Sequence, residues 1–279
     1  MLKSLQKAFK VKEVRDRLLY TFMMLVVIRI GCCLPIPGVD PSYLHDFFSN
    51  LQNSGMGFFN AITGGSFSSM SIFALSITPY ITSSIIMQLL TIAIPKLEEM
   101  QKDGEDGRKK IAEYTRYLTV GLALFESCAM AVGLGGKGLL LEDHRNIWGY
   151  LTVVAAMTAG SALLMWIGER ITDNGVGNGI SIVLLINIVS GTPQDMMTLY
   201  ERFMAGRSVA VATVSGIIVL AIIVAIVVFV LVLNDAERRI PVQYSKKMQG
   251  RRMIGGQSTY IPLKVNTANV IPVIFASSI

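Results

Sequence analysis

The residues able to do chemistry in this chain are few and widely separated. Three cysteines (Cys32, Cys33, Cys128) and two histidines (His45, His144) are too scattered for a metal cage or a disulfide framework. The cysteines lie in apolar surroundings, where they act as small packing residues. The motif NGVGNG at 174–179 has the alternating glycines of a phosphate loop. It lacks a GK[ST] ending and follows an apolar helix rather than a strand, so it reads as a turn. No Ser/His/Asp, Cys/His or paired-carboxylate spacing suggests catalysis, and no pattern calls for a cofactor. Two charges, Arg29 and Glu126 (in GLALFESCAM), sit inside apolar runs. A charge at bilayer depth is costly and marks a functional site by default. The other readings are a buried Arg29–Glu126 pair, or an Arg29 that snorkels to the outer surface. Glu237 to Arg252 holds six basic residues in sixteen: Arg238, Arg239, Lys246, Lys247, Arg251 and Arg252. Such a segment can hold orientation, touch anionic lipid, or dock onto RNA phosphates or an acidic protein.

The elements that must position these residues are membrane spans. Of 279 residues, 52% are hydrophobic and 16% charged, with a mean hydropathy of +0.54; soluble domains have about a quarter of their residues charged. Ser71 to Ile94 and Ala210 to Leu233 each run 24 residues without a charge, and about 20 helical residues cross a bilayer. Apolar runs place six spans at 18–34, 71–94, 118–134, 147–167, 176–190 and 211–233, with a seventh beginning near Ile271. Trp148 and Trp166 bracket the fourth, 18 residues apart, about 27 Å along a helix and placed as interfacial anchors. The seventh run reaches Ile279 with no cap or polar tail, so further spans are expected beyond it. The basic start followed by 18–34 could pass for a signal peptide, but Arg29 interrupts the run and no soluble domain follows, so it reads as a retained first span.

Lysine and arginine orient the bundle. Residues 1–17, 95–117, 168–175 and 234–269 together hold twenty, whereas the alternate loops hold four. This positive-inside bias puts the N-terminus in the cytoplasm. The net charge of +6 is first a topology signal.

Between the first two spans lies NAITGGSFSSM, Asn60 to Met70, too short to cross a bilayer yet uncharged. Gly64 and Gly65 permit tight turns, and Ser66, Ser68 and Ser69 permit close approach. Ile62 and Phe67 give it an apolar side. Non-spanning backbone at membrane depth must be buried in protein or face a cavity; the segment is either a half-helix folding into a cavity or an external loop that merely packs. In SITPYITSSIIMQLL, Ile77 and Ile81 share a helix face with Pro79 between them, and Leu184 and Ile188 repeat the spacing in the fifth span.

Several long stretches carry a resemblance: LPIPGVD at 34–40, SIFALSITPYITSSIIMQLL at 71–90, GRKKIAEYTRY at 107–117, NGVGNGISI at 174–182, QGRRMIGGQSTYIPLKVN at 249–266 and IPVIFASSI at 271–279. In this order they resemble the SecY family of protein-conducting channel subunits. The resemblance implies an all-α polytopic membrane protein: a SecY-like bundle with six transmembrane helices here, the start of a seventh, and a re-entrant plug helix at about 58–70. It implies a cytoplasmic N-terminus at 1–17, a five-helix first half at 18–190, and the start of a second half at 191–279 with a docking loop at 234–269. The implied function is movement of unfolded secretory polypeptides across the cytoplasmic (inner) membrane and release of membrane segments into it. An apolar pore ring would include Ile77, Ile81, Leu184, Ile188 and Ile274, with Leu184 standing where isoleucine is commoner. The plug would include Asn60, Ile62, Gly64, Gly65, Ser66 and Phe67, and Thr82, Glu126 and Ser278 match the polar cluster of a lateral gate. Docking would use Arg108, Lys109, Lys110, Arg238, Arg239, Lys246, Lys247, Arg251 and Arg252. The implied partners are the SecE and SecG subunits, the SecA motor ATPase, the ribosome including its RNA, the translocating polypeptide with its signal sequence, and lipid. The chain would not itself be an enzyme and would need no cofactor. An apolar waist agrees with the physics, because a channel for unfolded chains must not stick to any one sequence and can exclude ions by dewetting. A secondary solute transporter is the rival, since broken helices and intramembrane charges suit it too; two charges in the spans are few for that role, and large basic loops suit macromolecular docking.

Overall fold

The computed structural model describes residues 11–40, 60, 63–135, 138, 140–141, 145–243, 247–249, 252–254 and 258–267. The chain divides into two compact units that meet at Pro193–Gln194. The first unit holds α1 (Lys12–Cys33), α2 (Thr78–Ala93), α3 (Pro95–Lys102), α4 (Glu105–Leu134), α5 (Ile147–Asn174) and the first part of α6 (Gly179–Phe203).

Between α2 and α3 the chain bends by 102°. Pro95 opens α3, and a proline forces the residue before it out of helical geometry; Ile94 accordingly has φ −110° and ψ 111°. α5 is the hub. Val153, Met157, Gly160, Ser161, Leu164, Ile167, Gly168 and Ile171 form its buried stripe, spaced three and four apart as one helix face requires. Small residues on that stripe bring neighbours very close: a Cβ at Gly160 would lie 2.0 Å from the Ile72 carbonyl oxygen. In a membrane such contact, rather than expulsion from water, holds helices together.

The second span begins later than the apolar run. Residues 63–77 form successive turns, and α2 starts at Thr78, not at Ser71. The turns satisfy their backbone elsewhere: Ile36 N–H donates to Met70 O at 3.0 Å, and Ile72 N–H to Leu34 O at 3.0 Å. Hydropathy alone could not distinguish this buried irregular stretch from helix. Two buried clusters result. One joins Ile36, Val39, Phe67, Met70, Ala74 and Leu75 to Ala123, Ala131, Val153 and Met157. The other joins Ile28, Cys32, Phe73 and Ile77 to Leu164, Ile167, Ile171 and Val183.

α6 passes beyond the expected end at 190, through the internal Pro193, to Phe203. Proline is tolerated inside membrane helices because neighbouring groups take up the freed carbonyl. In the second unit, α7 (Val209–Asp235) is the most apolar of the helices among the described residues. After it β1 (Glu237–Gln243) and β4 (Ser258–Lys264) pair antiparallel from Glu237↔Lys264 to Gln243↔Ser258, and β2 (Lys247–Gln249) pairs with β3 (Arg252–Ile254). Among the described residues α5, α6 and α7 are each long and apolar enough to cross a membrane, and α2 with α3 make a fourth candidate if the bent pair is one span.

Candidate functional site

Three residues of the expected apolar ring meet. Ile77, the residue before α2, is 1% exposed and belongs to the second cluster; half-buried Ile81 and Leu184 pack against that same cluster. Ile81 N–H donates to Ile77 O at 3.1 Å, which places the two side chains one turn apart at the start of α2. Ile188, one turn beyond Leu184 on α6, is 51% exposed and does not join the cluster. Ile274 lies outside the described residues.

The glycine–serine segment is organised around Asn60. Its carboxamide oxygen accepts from Ser68 N–H at 3.1 Å, while its backbone carbonyl accepts from Gly65 N–H at 3.0 Å and from the Thr63 hydroxyl at 3.1 Å. Ser68 and Ser69 hydroxyls both donate to Gly65 O. Thr63, Ser66 and Phe67 are buried, so an uncharged, self-bonded piece packs where backbone needs internal partners. Gly64, at φ +66°, sits directly on α6: a Cβ there would lie 2.8 Å from Asn187 O and 2.9 Å from Ser190 Oγ. The described part, 63–70, is a series of turns rather than a regular helix, and Ile62 lies outside the described residues.

Thr82 and Glu126 are half-buried on α2 and α4, two helices that pack together. Ser278 lies outside the described residues. The Arg29–Glu126 ion pair is not formed: among the described residues no salt bridge includes either side chain. Nor does Arg29 simply reach outward, since its Nη1 is buried with no hydrogen-bond partner.

Arg108, Lys109 and Lys110 are exposed near the start of α4. Farther along, Arg116 Nε donates to Glu169 Oε1 at 2.8 Å and ties α4 to α5; this hydrogen bond raises the Arg116 pKa above the ordinary guanidinium value. Arg238 and Arg239 are exposed on β1, with the Arg239 guanidinium 4.7 Å over the Tyr260 ring, a cation–π contact. Lys247 lies in β2 and Arg252 in β3, whereas Lys246 and Arg251 fall outside the described residues.

One feature of the site escaped the sequence reading. Asn187 interrupts the apolar run 180–189, is 1% exposed, and donates from Nδ2 to Ser76 Oγ at 3.0 Å. A lone carboxamide inside an apolar run was the available signal.

The SecY family model matches residues 71–279. Along its whole length the chain is 46% identical to the protein translocase subunit SecY of Streptomyces scabiei, and it spans 65% of that protein's length. It is similar to a solved SecY whose plug domain stabilises the closed state of the translocation channel and maintains a membrane seal; the TM-score is 0.55 at 19% identity, covering 95% of this chain and 55% of that one. Sec61 in the canine ribosome–channel complex from the endoplasmic reticulum matches with a TM-score of 0.52 at 21% identity, covering 95% and 56%. At those identities the structural likeness speaks for the fold. The chain is thus a mostly helical, multi-pass membrane protein that belongs to the SecY family.

Proposed function

We propose that this chain forms the N-terminal part of a protein-conducting channel subunit. The complete protein moves unfolded secretory polypeptides across the cytoplasmic membrane and releases membrane segments into lipid. One observation carries the reading: Ile77, Ile81 and Leu184, from two helices far apart in sequence, share one apolar cluster, and the Gly64 turn rests on the helix that bears Leu184. Together with Ile188 and Ile274 they are the chain's share of an apolar collar. Asn60, Ile62, Gly64, Gly65, Ser66 and Phe67 are its stopper. A collar of branched aliphatic side chains holds no water column and adheres to no particular sequence, so it passes diverse chains while resisting ions.

The bundle consists of six spans and the start of a seventh, with the N-terminus in the cytoplasm, a reading supported by twenty basic residues on one side against four on the other. Thr82, Glu126 and Ser278 line the gate toward lipid. The exposed basic groups Arg108, Lys109, Lys110, Arg238 and Arg239, with Lys246, Lys247, Arg251 and Arg252, dock a motor ATPase or ribosomal RNA phosphates. The partner supplies the energy, and SecE and SecG complete the assembly.

The test is photo-crosslinking from Ile81 and Ile274 in the full-length protein to a translocating polypeptide arrested midway. Both positions are expected to capture the arrested chain, whereas a lipid-facing position such as Phe229 is not. Labelling by lipid alone at both positions overturns the reading.

A further inference from the structure

Three parts of the molecule converge on one side chain. Ser76, immediately before Ile77, has φ +52°, a left-handed conformation that a residue with a side chain rarely adopts. It is 1% exposed, and its hydroxyl accepts the hydrogen bond from Asn187. Asn187 lies on α6 between Leu184 and Ile188 and is itself buried. The backbone carbonyl of the same Asn187 accepts from the Ser190 hydroxyl at 2.6 Å and faces the Gly64 turn, where a Cβ would lie 2.8 Å away. The other carboxamide atom, Oδ1, is buried with no hydrogen-bond partner. An amide at membrane depth with half its capacity unused is costly to keep. A general packing role does not explain it, since an aliphatic residue of similar size would fill the space.

We propose that Asn187 is a positioning residue that sets the aperture and its stopper in register. Its Nδ2 holds Ser76 in the left-handed turn that aims Ile77 into the cluster. Its carbonyl is the floor on which the Gly64 turn sits. Displacement of the described 63–70 turns uncovers the clasp, and loosening of the clasp moves Ile77. The inference rests on the channel reading above and adds a residue to it.

The clasp makes a specific genetic demand. If the Asn187 amide serves to hold Ser76 at positive φ, then glycine at 76, which adopts that conformation freely, makes the amide dispensable. The experiment measures resting ion leak through the full-length protein, assembled with its partner subunits in proteoliposomes. Asn187→Leu is expected to raise the leak roughly tenfold, the order expected when a buried hydrogen bond is lost and its partner is left unsatisfied. Ser76→Ala removes only the acceptor, leaves α6 untouched, and is expected to leak similarly. Ser76→Gly alone is expected to stay within about twofold of the parent, and Ser76→Gly combined with Asn187→Leu to return near parental tightness. If Asn187→Leu and Ser76→Ala are both as tight as the parent, or if Ser76→Gly fails to restore Asn187→Leu, the proposal is overturned. Plug deletion serves as the control: if removing 60–70 also produces no conductance, the channel reading itself fails. Conductance there, with a tight Asn187→Leu, rejects only the clasp.

Discussion

α5 and α7 are both long apolar helices, yet they are opposites in use. Within the first unit nearly half of the apolar stretch of α5 is buried, whereas α7, the more apolar of the two, has no buried residue within the second. The difference lies in how the small residues are used. α5 spaces Gly160, Ser161 and Gly168 along its buried stripe, so other backbones reach it. α7 also carries small residues, Ala212, Ser215, Gly216, Ala221 and Ala225, but sets them among valine, isoleucine and leucine, a surface that lipid tails satisfy as well as protein does. Apolarity tells which helices enter the bilayer, and small or polar interruptions tell which of them packs.

The sharpest way to break that contrast is to enlarge a glycine in each helix. Gly160→Leu drives a side chain into the Ile72 backbone, and we expect a loss of about 3 kcal/mol or more in unfolding measured on the detergent-solubilised full-length protein. At Gly216 in α7 a Cβ would meet only the terminal methyl of Met204 at 2.8 Å. That flexible thioether can swing aside, so Gly216→Leu should stay within about 0.5 kcal/mol. Equal damage at the two sites would abolish the distinction. A middle-sized effect comes from Arg116→Ala, which cuts the α4–α5 tie at the rim of the packed region. Both partners are partly exposed, 48% and 24%, so about 0.5 kcal/mol is expected, shrinking further in high salt. Because the Arg116 pKa is raised in the folded state, its contribution is present throughout the working pH range and disappears only when strong alkali deprotonates the guanidinium. The smallest effect belongs to Glu98 in α3, an exposed carboxylate whose pKa is lowered by the 2.6 Å bond from Lys102. A lowered pKa helps above the unfolded carboxylate range and stops helping as pH falls through the folded value. Glu98→Gln should therefore quicken amide exchange in α3 at neutral pH, leave it unchanged in acid, and not move the overall melting temperature.

Much of this arrangement is legible in the residues. The tryptophan pair marks the apolar run 147–167 within α5, which continues to Asn174, and the long motifs identify the family. The NGVGNG turn leads straight into α6 at Gly179. Where the reading fell short, the cause is that hydropathy counts atoms without seeing partners. Ser71 to Ile77 is as apolar as a helix but makes its backbone hydrogen bonds to Leu34, Ser66 and its own turns. The apolar run put the end of the fifth span at 190, yet α6 continues through Pro193 to Phe203. Arg29 and Glu126 suggested a pair because they are the two charges within apolar runs, but the structure seats them on α1 and α4 without an ion pair between them. Asn187 went unnoticed because its partner, Ser76, lies 111 residues away in sequence.

The ribbon of β1 and β4 starts and finishes at the same place: Val265 N–H donates to Ala236 O at 3.0 Å, directly after α7. Seven paired positions carry the chain about 24 Å away from that junction, and Pro241 and Pro262 discourage extra strands from joining its sides. Whatever the far end of this arm holds can be lengthened, shortened or exchanged while the exit and return points stay put. An experimenter could thus mount a fluorophore or an affinity handle between Gln243 and Ser258 while α7 and the strand pairing stay as they are.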